Sequence, residues 1–205
     1  MIGHIFSARL RIFTCFVLAY FIGFLIAAIS MGNYEFIFYE MAMALIIAAI
    51  VFMDRRVEFS RLTLCGLALW GLLHLSGGIV PIPPEYIGGG EENPTAVLYN
   101  LKLAAWLPKY DQFVHAMGFG FSAIAAHEAL QSHFKCKLPI NFQIGSILFF
   151  MALGLGCLNE IIEFIAVLSI PNTNVGGYYN TGWDMISNAT GALIAILYLR
   201  IRQGA

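Results

Sequence analysis

The chain has 205 residues, 60% of them hydrophobic and only 11% charged, with a formal net charge of -1. Soluble domains carry about a quarter of their residues as charged side chains, so this composition excludes an ordinary soluble domain. The lack of a basic excess also argues against a nucleic-acid partner. What remains is an all-α polytopic membrane protein whose expected partners are membrane lipids.

Apolar runs of about 20 residues, the length that crosses a bilayer, predict six transmembrane helices in a single membrane domain over 1-205. They lie near 12-31, 35-53, 60-78, 110-130, 144-169 and 182-199. The first run, "IFTCFVLAYFIGFLIAAIS" after Arg9 and Arg11, exceeds the apolar core of a signal peptide and reads as an uncleaved helix. Spans one and two have few polar residues in their centres and are expected to buttress the others from the side.

Lys and Arg collect on the cytoplasmic side of membrane helices. Arg9 and Arg11 precede span one, "DRRVEFSR" separates spans two and three, "HFKCK" separates four and five, and Arg200 and Arg202 follow six. Both termini are therefore expected in the cytoplasm. The alternate connections "MGNYE" and "PNTNVGGYYNTG" have no basic residue, and the loop 79-109 sets Lys102 and Lys109 against Glu85, Glu91 and Glu92. That extracytoplasmic loop opens on the Pro- and Gly-rich "GGIVPIPPEYIGGGEENP". Its second half, "TAVLYNLKLAAWLPK", is expected to form a short interfacial helix anchored by Trp106, serving either as a lid or as plain surface. Cys15, Cys65 and Cys157 lie in apolar runs and Cys136 in a basic connection, with no C-x-x-C to hold zinc. His4, His127, Glu128 and His133 fall at or beyond cytoplasmic ends and read as solvated.

Small residues four apart let helix backbones approach closely in lipid. Gly118, Ser122 and Ala126 in span four, Ala152 and Gly156 in span five, and Ser187, Gly191 and Ala195 in span six have that spacing. Spans four to six are expected to form one tight bundle.

Depth then brings the polar residues together. At about 1.5 Å per residue, His74 lies roughly 6 Å below the outer end of span three, and Asp111 and His115 lie roughly 2 and 8 Å into span four. By the same count Glu163 and Glu160 lie roughly 9 and 14 Å below the outer end of span five, and Asp184 and Asn188 roughly 3 and 9 Å into span six. Asp111 and His115, Glu160 and Glu163, and Asp184 and Asn188 are each spaced to share one helix face. A carboxylate facing hydrocarbon costs roughly 2.5 to 3.5 kcal/mol at mid-bilayer, so these pairs must look inward, to a polar cluster in the outer half of the bilayer. Plainer accounts exist for each residue. Asp111 and Asp184 suit first-turn helix capping, His74 and His115 could be hydrogen-bonded packing residues, and Asn188 could bridge helices. One of the two glutamates could be held protonated.

Span four opens "YDQFVHAMG" and span six "WDMISNATG". Aligned without gaps, both read aromatic, Asp, three residues, His or Asn, Ala, any residue, Gly. The match suggests a duplicated helical hairpin, an arrangement in which ligand sites fall at the repeat interface.

"GLLHLSGG", "YDQFVHAMGFG", "NEIIEF" and "WDMISNATGA" together resemble the YjdF-like bacterial inner-membrane proteins, a family of unassigned function, over residues 60 to 200. More distantly, Asp and His opening one helix, Glu in the next and D-x-x-x-N-x-x-G in the last are similar to the VanZ-like membrane proteins. "YDQ" and "EIIEF" depart from that pattern, which has a basic residue beside the first Asp and a Gln near the position of Phe164. The resemblance implies a multi-pass protein of the bacterial inner membrane and no particular reaction.

Two His with several carboxylates suit zinc, manganese or iron, and inward Glu and His on a helical bundle are a common way to build such sites. The first reading is a metal-dependent membrane enzyme, a hydrolase acting on a lipid or lipid-linked substrate from the extracytoplasmic side. Its metal ligands would be His74, His115, Glu160 and Asp184. Glu163 would be base or further ligand, Asp111 would orient His115, and Asn188 would bind substrate or an oxyanion. A proton- or cation-coupled transporter using Glu160 or Glu163 is the second reading, and an envelope binding or scaffold protein the third.

Overall fold

A computed structural model of the chain describes residues 8-88 and 95-204. His4, Glu91 and Glu92 lie outside the described residues, as does the side chain of Arg9. Six helices make up the fold: α1 (Ala8–Met31), α2 (Tyr34–Val57), α3 (Arg61–Gly77), α4 (Tyr110–Phe134), α5 (Phe142–Ser169) and α6 (Tyr178–Gly204). Each falls on an expected span, displaced by a few residues at its ends. α1, α2, α5 and α6 are long and apolar enough to cross a membrane. α3 is short, at 17 residues, and α4 is richer in polar residues because it occupies the middle, packed against α2, α3, α5 and α6.

The packing is inverted relative to a soluble bundle. Large aliphatic and aromatic side chains point outward, with Leu45 74% exposed and Leu168 70% exposed. Ala123, Ala152, Ala192 and Ala195 fill the interior between α4, α5 and α6. Lipid tails are as apolar as leucine, so close backbone approach holds such helices together. The closest approach is at Gly191, where a Cβ would strike the Ala116 carbonyl, and at Gly120, which faces the Gly191 carbonyl. Gly120, not Gly118, supplies the α4 side of this crossing. Gly118 instead receives the Trp70 indole from α3, and Gly156 receives the Asn188 amide.

Side chains close several helix ends. Asn33 accepts from Phe36 N at 3.1 Å to cap α2, Asn141 accepts from Ile144 N at 2.9 Å to cap α5, and the Gln112 side chain accepts from Lys109 N at 2.8 Å before α4. Two residues expected to be solvated prove to be ties between elements. Glu128 accepts from Ser60 N and Thr63 Oγ1, each at 2.9 Å, and so fastens the start of α3 to α4. His127 is buried and reaches Leu138 O at 3.0 Å, fixing the α4–α5 connection. His133 is exposed, as expected.

The connection 79-109 does not contain the expected interfacial helix. Its two halves pair with each other: Leu98 N bonds Val80 O at 2.9 Å, Ile82 N bonds Ala96 O at 2.9 Å, and Lys102 N bonds Tyr86 O at 2.9 Å. Among the described residues of the connection, the helical elements are short 3-10 turns at Pro84–Tyr86 and Leu98–Asn100. The folded cap sits on the ends of α3 and α4, where Tyr110 Oη donates to Leu73 O at 3.0 Å. A second tie runs through Asn174, whose Oδ1 accepts from Thr95 Oγ1 at 2.7 Å and from Asn100 Nδ2 at 2.9 Å. The Asn174 backbone N–H donates to Glu35 Oε2 at 2.8 Å. α2 is therefore more than a buttress, because its first turns carry the buried Glu35, Tyr39 and Glu40.

Candidate functional site

The polar cluster lies just beneath this cap. α4 presents Asp111 and His115, α5 presents Asn159, Glu160 and Glu163, and α6 presents Asn180, Asp184 and Asn188. The three α6 residues recur every fourth position and form one stripe. From the helix ends nearest the cap, His115, Glu163, Glu160 and Asp184 lie about 8, 9, 14 and 9 Å along their axes. The layer expected from the sequence is thus present, with Asp184 deeper than expected. α6 begins at Tyr178, so Asp184 is past the first turn and cannot cap it.

His115 is the hub. Its Nδ1 lies 3.0 Å from Asn188 Oδ1, while its Nε2 is 3.6 Å from Asp111 Oδ1 and 3.9 Å from Glu163 Oε1. Glu160 Oε1 lies 3.9 Å from Nδ1. Asn188 offers its carbonyl oxygen, so Nδ1 donates to it, while Nε2 faces Asp111 and Glu163. Fixing a histidine tautomer through its second nitrogen is how metal-ligating imidazoles are commonly oriented.

Neutral amides hold the carboxylates. Asn159 Nδ2 donates to Glu163 Oε1 at 2.7 Å. Asn180 Nδ2 donates to Asp184 Oδ2 at 2.7 Å and to Asp111 Oδ2 at 3.2 Å. Sequence reasoning missed Asn180 because span six was started at residue 182; its place four residues before Asp184, continuing the stripe, was the available signal. Among the described residues, Glu160 Oε1 and Asp184 Oδ1 are buried with no hydrogen-bond partner. Buried ionised oxygens without partners are costly, and four carboxylates face one imidazole, with the buried Lys109 the other cation acting on Asp184. Such a centre attracts further positive charge, as a cation or as protons.

Two triads of ligand atoms arise, Asp111–His115–Asp184 and His115–Glu160–Glu163, each with its atoms within 4.8 Å of one another. Three ligands about 2.1 Å from one ion stand roughly 3.4 to 3.6 Å apart, so either triad would have to draw together to hold a metal. His74 joins neither. Its ring stacks on Trp70 with centroids 5.5 Å apart, and Nδ1 meets the Tyr99 hydroxyl from the cap. Burial, and then the carboxylates of Asp111 and Glu163, push the Tyr99 phenol well above its usual range. It stays protonated.

Beside the cluster a cleft of about 820 Å³ opens between the cap segment 102-109 and the first turns of α4 and α6. Asn180 lines it and is the link between cleft and carboxylates.

An outward-facing apolar surface around a buried, carboxylate-rich polar centre defines a multi-helix membrane protein. More particularly, the chain belongs to the family described as predicted membrane protein (DUF2238), whose model matches residues 12–205. This agrees with the resemblance to YjdF-like membrane proteins and adds nothing to the more distant VanZ-like one. No curated protein and no solved structure matches the chain.

Proposed function

We propose that this protein is a six-span inner-membrane protein with both termini in the cytoplasm that binds a divalent cation, zinc, manganese or iron, in the outer half of the bilayer. We read it as a metal-dependent enzyme, a hydrolase of lipid or lipid-linked substrates reached from the extracytoplasmic side. The observation that carries the reading is the convergence of His115 and four carboxylates from three helices on one small volume.

His115, Asp111 and Asp184, one of the two triads, are the ligands we assign; Glu160, the fourth expected ligand, faces the other ring nitrogen, Nδ1, at 3.9 Å. Asp111 takes the place first expected of His74, which lies in neither triad. Asn188 orients His115, the task first given to Asp111. Glu163, steadied by Asn159, is placed to hold or accept a proton close to the His115 ring. A divalent cation here would polarise a phosphate or ester oxygen and acidify a bound water. The protein's part is to desolvate the centre, fix the imidazole tautomer and admit substrate past Asn180.

Elemental analysis of detergent-purified protein tests the proposal, with one ion per chain expected in the wild type and its loss in His115→Ala and Asp184→Asn. Absence of stoichiometric metal, together with no thermal stabilisation by added Zn²⁺ or Mn²⁺, would reject it. Cation-dependent uptake in proteoliposomes would favour transport instead.

A further inference from the structure

A second cavity adjoins the cleft beside the cluster. Phe113 and Ala116 line both, and the second, about 470 Å³, runs along the α4–α6 face to Ile124 and Tyr198. The two ends differ in chemistry. The cap end holds Lys102 with the Trp106 and Trp183 indoles, and among the described residues no Asp or Glu lines it. Lys109 also lines it but is buried, its Nζ donating to Asn100 Oδ1 at 3.4 Å. The remainder is lined by apolar side chains and glycine apart from Tyr198 at its far end. From Phe113 to Ile124 the groove descends about 16 Å, close to the depth of one leaflet of a hydrocarbon core about 30 Å thick.

We infer that this groove binds a single anionic, phosphate-headed lipid, its head against Lys102 and one tail along α4 and α6. Charge chooses the head, since Lys102 lies at the level of the aromatic residues that mark membrane interfaces. Length chooses the occupant, because a soluble phosphate compound would leave the apolar part of the groove without a guest. Asn180 borders the head end while bonding Asp111 and Asp184, so a bound head stands beside the carboxylate cluster. The inference names the substrate class for the proposed function and rests on that reading for the fate of the lipid, not for its binding.

Trp106 and Trp183 are 83% and 43% exposed and serve as reporters. Purified protein in detergent micelles is titrated with tail-brominated phosphatidylglycerol or phosphatidylcholine while tryptophan fluorescence is followed. The anionic lipid is expected to quench at a concentration on the order of fivefold lower, the effect of one lysine near a lipid phosphate. Lys102→Glu should remove most of that preference, and a Trp106→Phe, Trp183→Phe protein should lose the quenching. Soluble glycerol phosphate should not displace the lipid. Equal quenching by both lipids, an unchanged preference in Lys102→Glu, or full displacement by glycerol phosphate would each overturn the inference. The titration is repeated after chelator treatment. A preference that persists there upholds the groove even if no metal is found, so failure of the metal reading and failure of the lipid reading are separable.

Discussion

His115 on α4 and Asn188 on α6 occupy equivalent places in the two aromatic-Asp segments, and they bond directly, Nδ1 to Oδ1, at 3.0 Å. Asp111 and Asp184, also equivalent, share the Asn180 amide. Matched positions thus meet at the α4–α6 interface. If Asn188 sets the His115 tautomer, Asn188→Leu should lower metal affinity about 10- to 100-fold. Asn188→Asp, which keeps an acceptor at that place, should restore most of it. Competition with a chromogenic chelator measures both, and an unchanged affinity in Asn188→Leu would remove Asn188 from the site.

Gly191 should tolerate no side chain. A Cβ there meets the Ala116 backbone, which cannot move without parting α4 from α6. Gly191→Ala is therefore expected to cost about 1 to 3 kcal/mol, as overpacking does, and to lower the melting temperature in detergent. Gly154→Ala is the control, because a Cβ there meets open space; with better helix propensity it should be neutral or stabilising by up to about 1 kcal/mol.

The cap is held by few bonds, so it should loosen without global unfolding. Asn174→Ala removes the acceptor of Thr95 Oγ1 and Asn100 Nδ2 and should destabilise the cap by about 1 to 3 kcal/mol. Tyr99→Phe, which removes only the hydroxyl facing His74, should cost about 0.5 to 1.5 kcal/mol. Limited proteolysis within 79-109 should quicken in that order while the melting temperature changes little. Cap cleavage no faster than in wild type would contradict this account.

Glu128 should matter for stability and not for metal. Glu128→Ala strands Ser60 N and Thr63 Oγ1 at the start of α3 and should cost about 1 to 3 kcal/mol. Elemental analysis should still find the ion in the folded variant.

Orientation can be read chemically. Cys136, exposed in the α4–α5 connection, should resist a membrane-impermeant maleimide in intact spheroplasts and react after permeabilisation. Glu85→Cys, on the exposed face of the cap, should react in intact spheroplasts. The reverse pattern would invert the proposed topology.

The positions of the helices were legible because a run of apolar residues long enough to cross lipid has few other uses. The polar layer was legible because carboxylates in such runs must turn inward at a depth set by rise per residue. Asn180 was overlooked because a helix end among Tyr, Asn, Thr and Gly carries no apolar signal, and the helix begins earlier than the apolar run. Glu128 and His127 were misread for a related reason. Position near a helix end suggests water, but Ser60 and Leu138 reach them from other segments.

The sequence by itself determined the class, the helices and the depth at which charge is buried, since each follows from spacing along one chain. Only the tertiary structure decided that His115 stands at the hub, that Tyr99 engages His74, that Asn180 joins Asp111 to Asp184, and that a groove leads to them. These depend on how far each helix is rotated and how closely its neighbours approach. That is governed by contacts such as Gly191 against Ala116, which join residues remote in the chain.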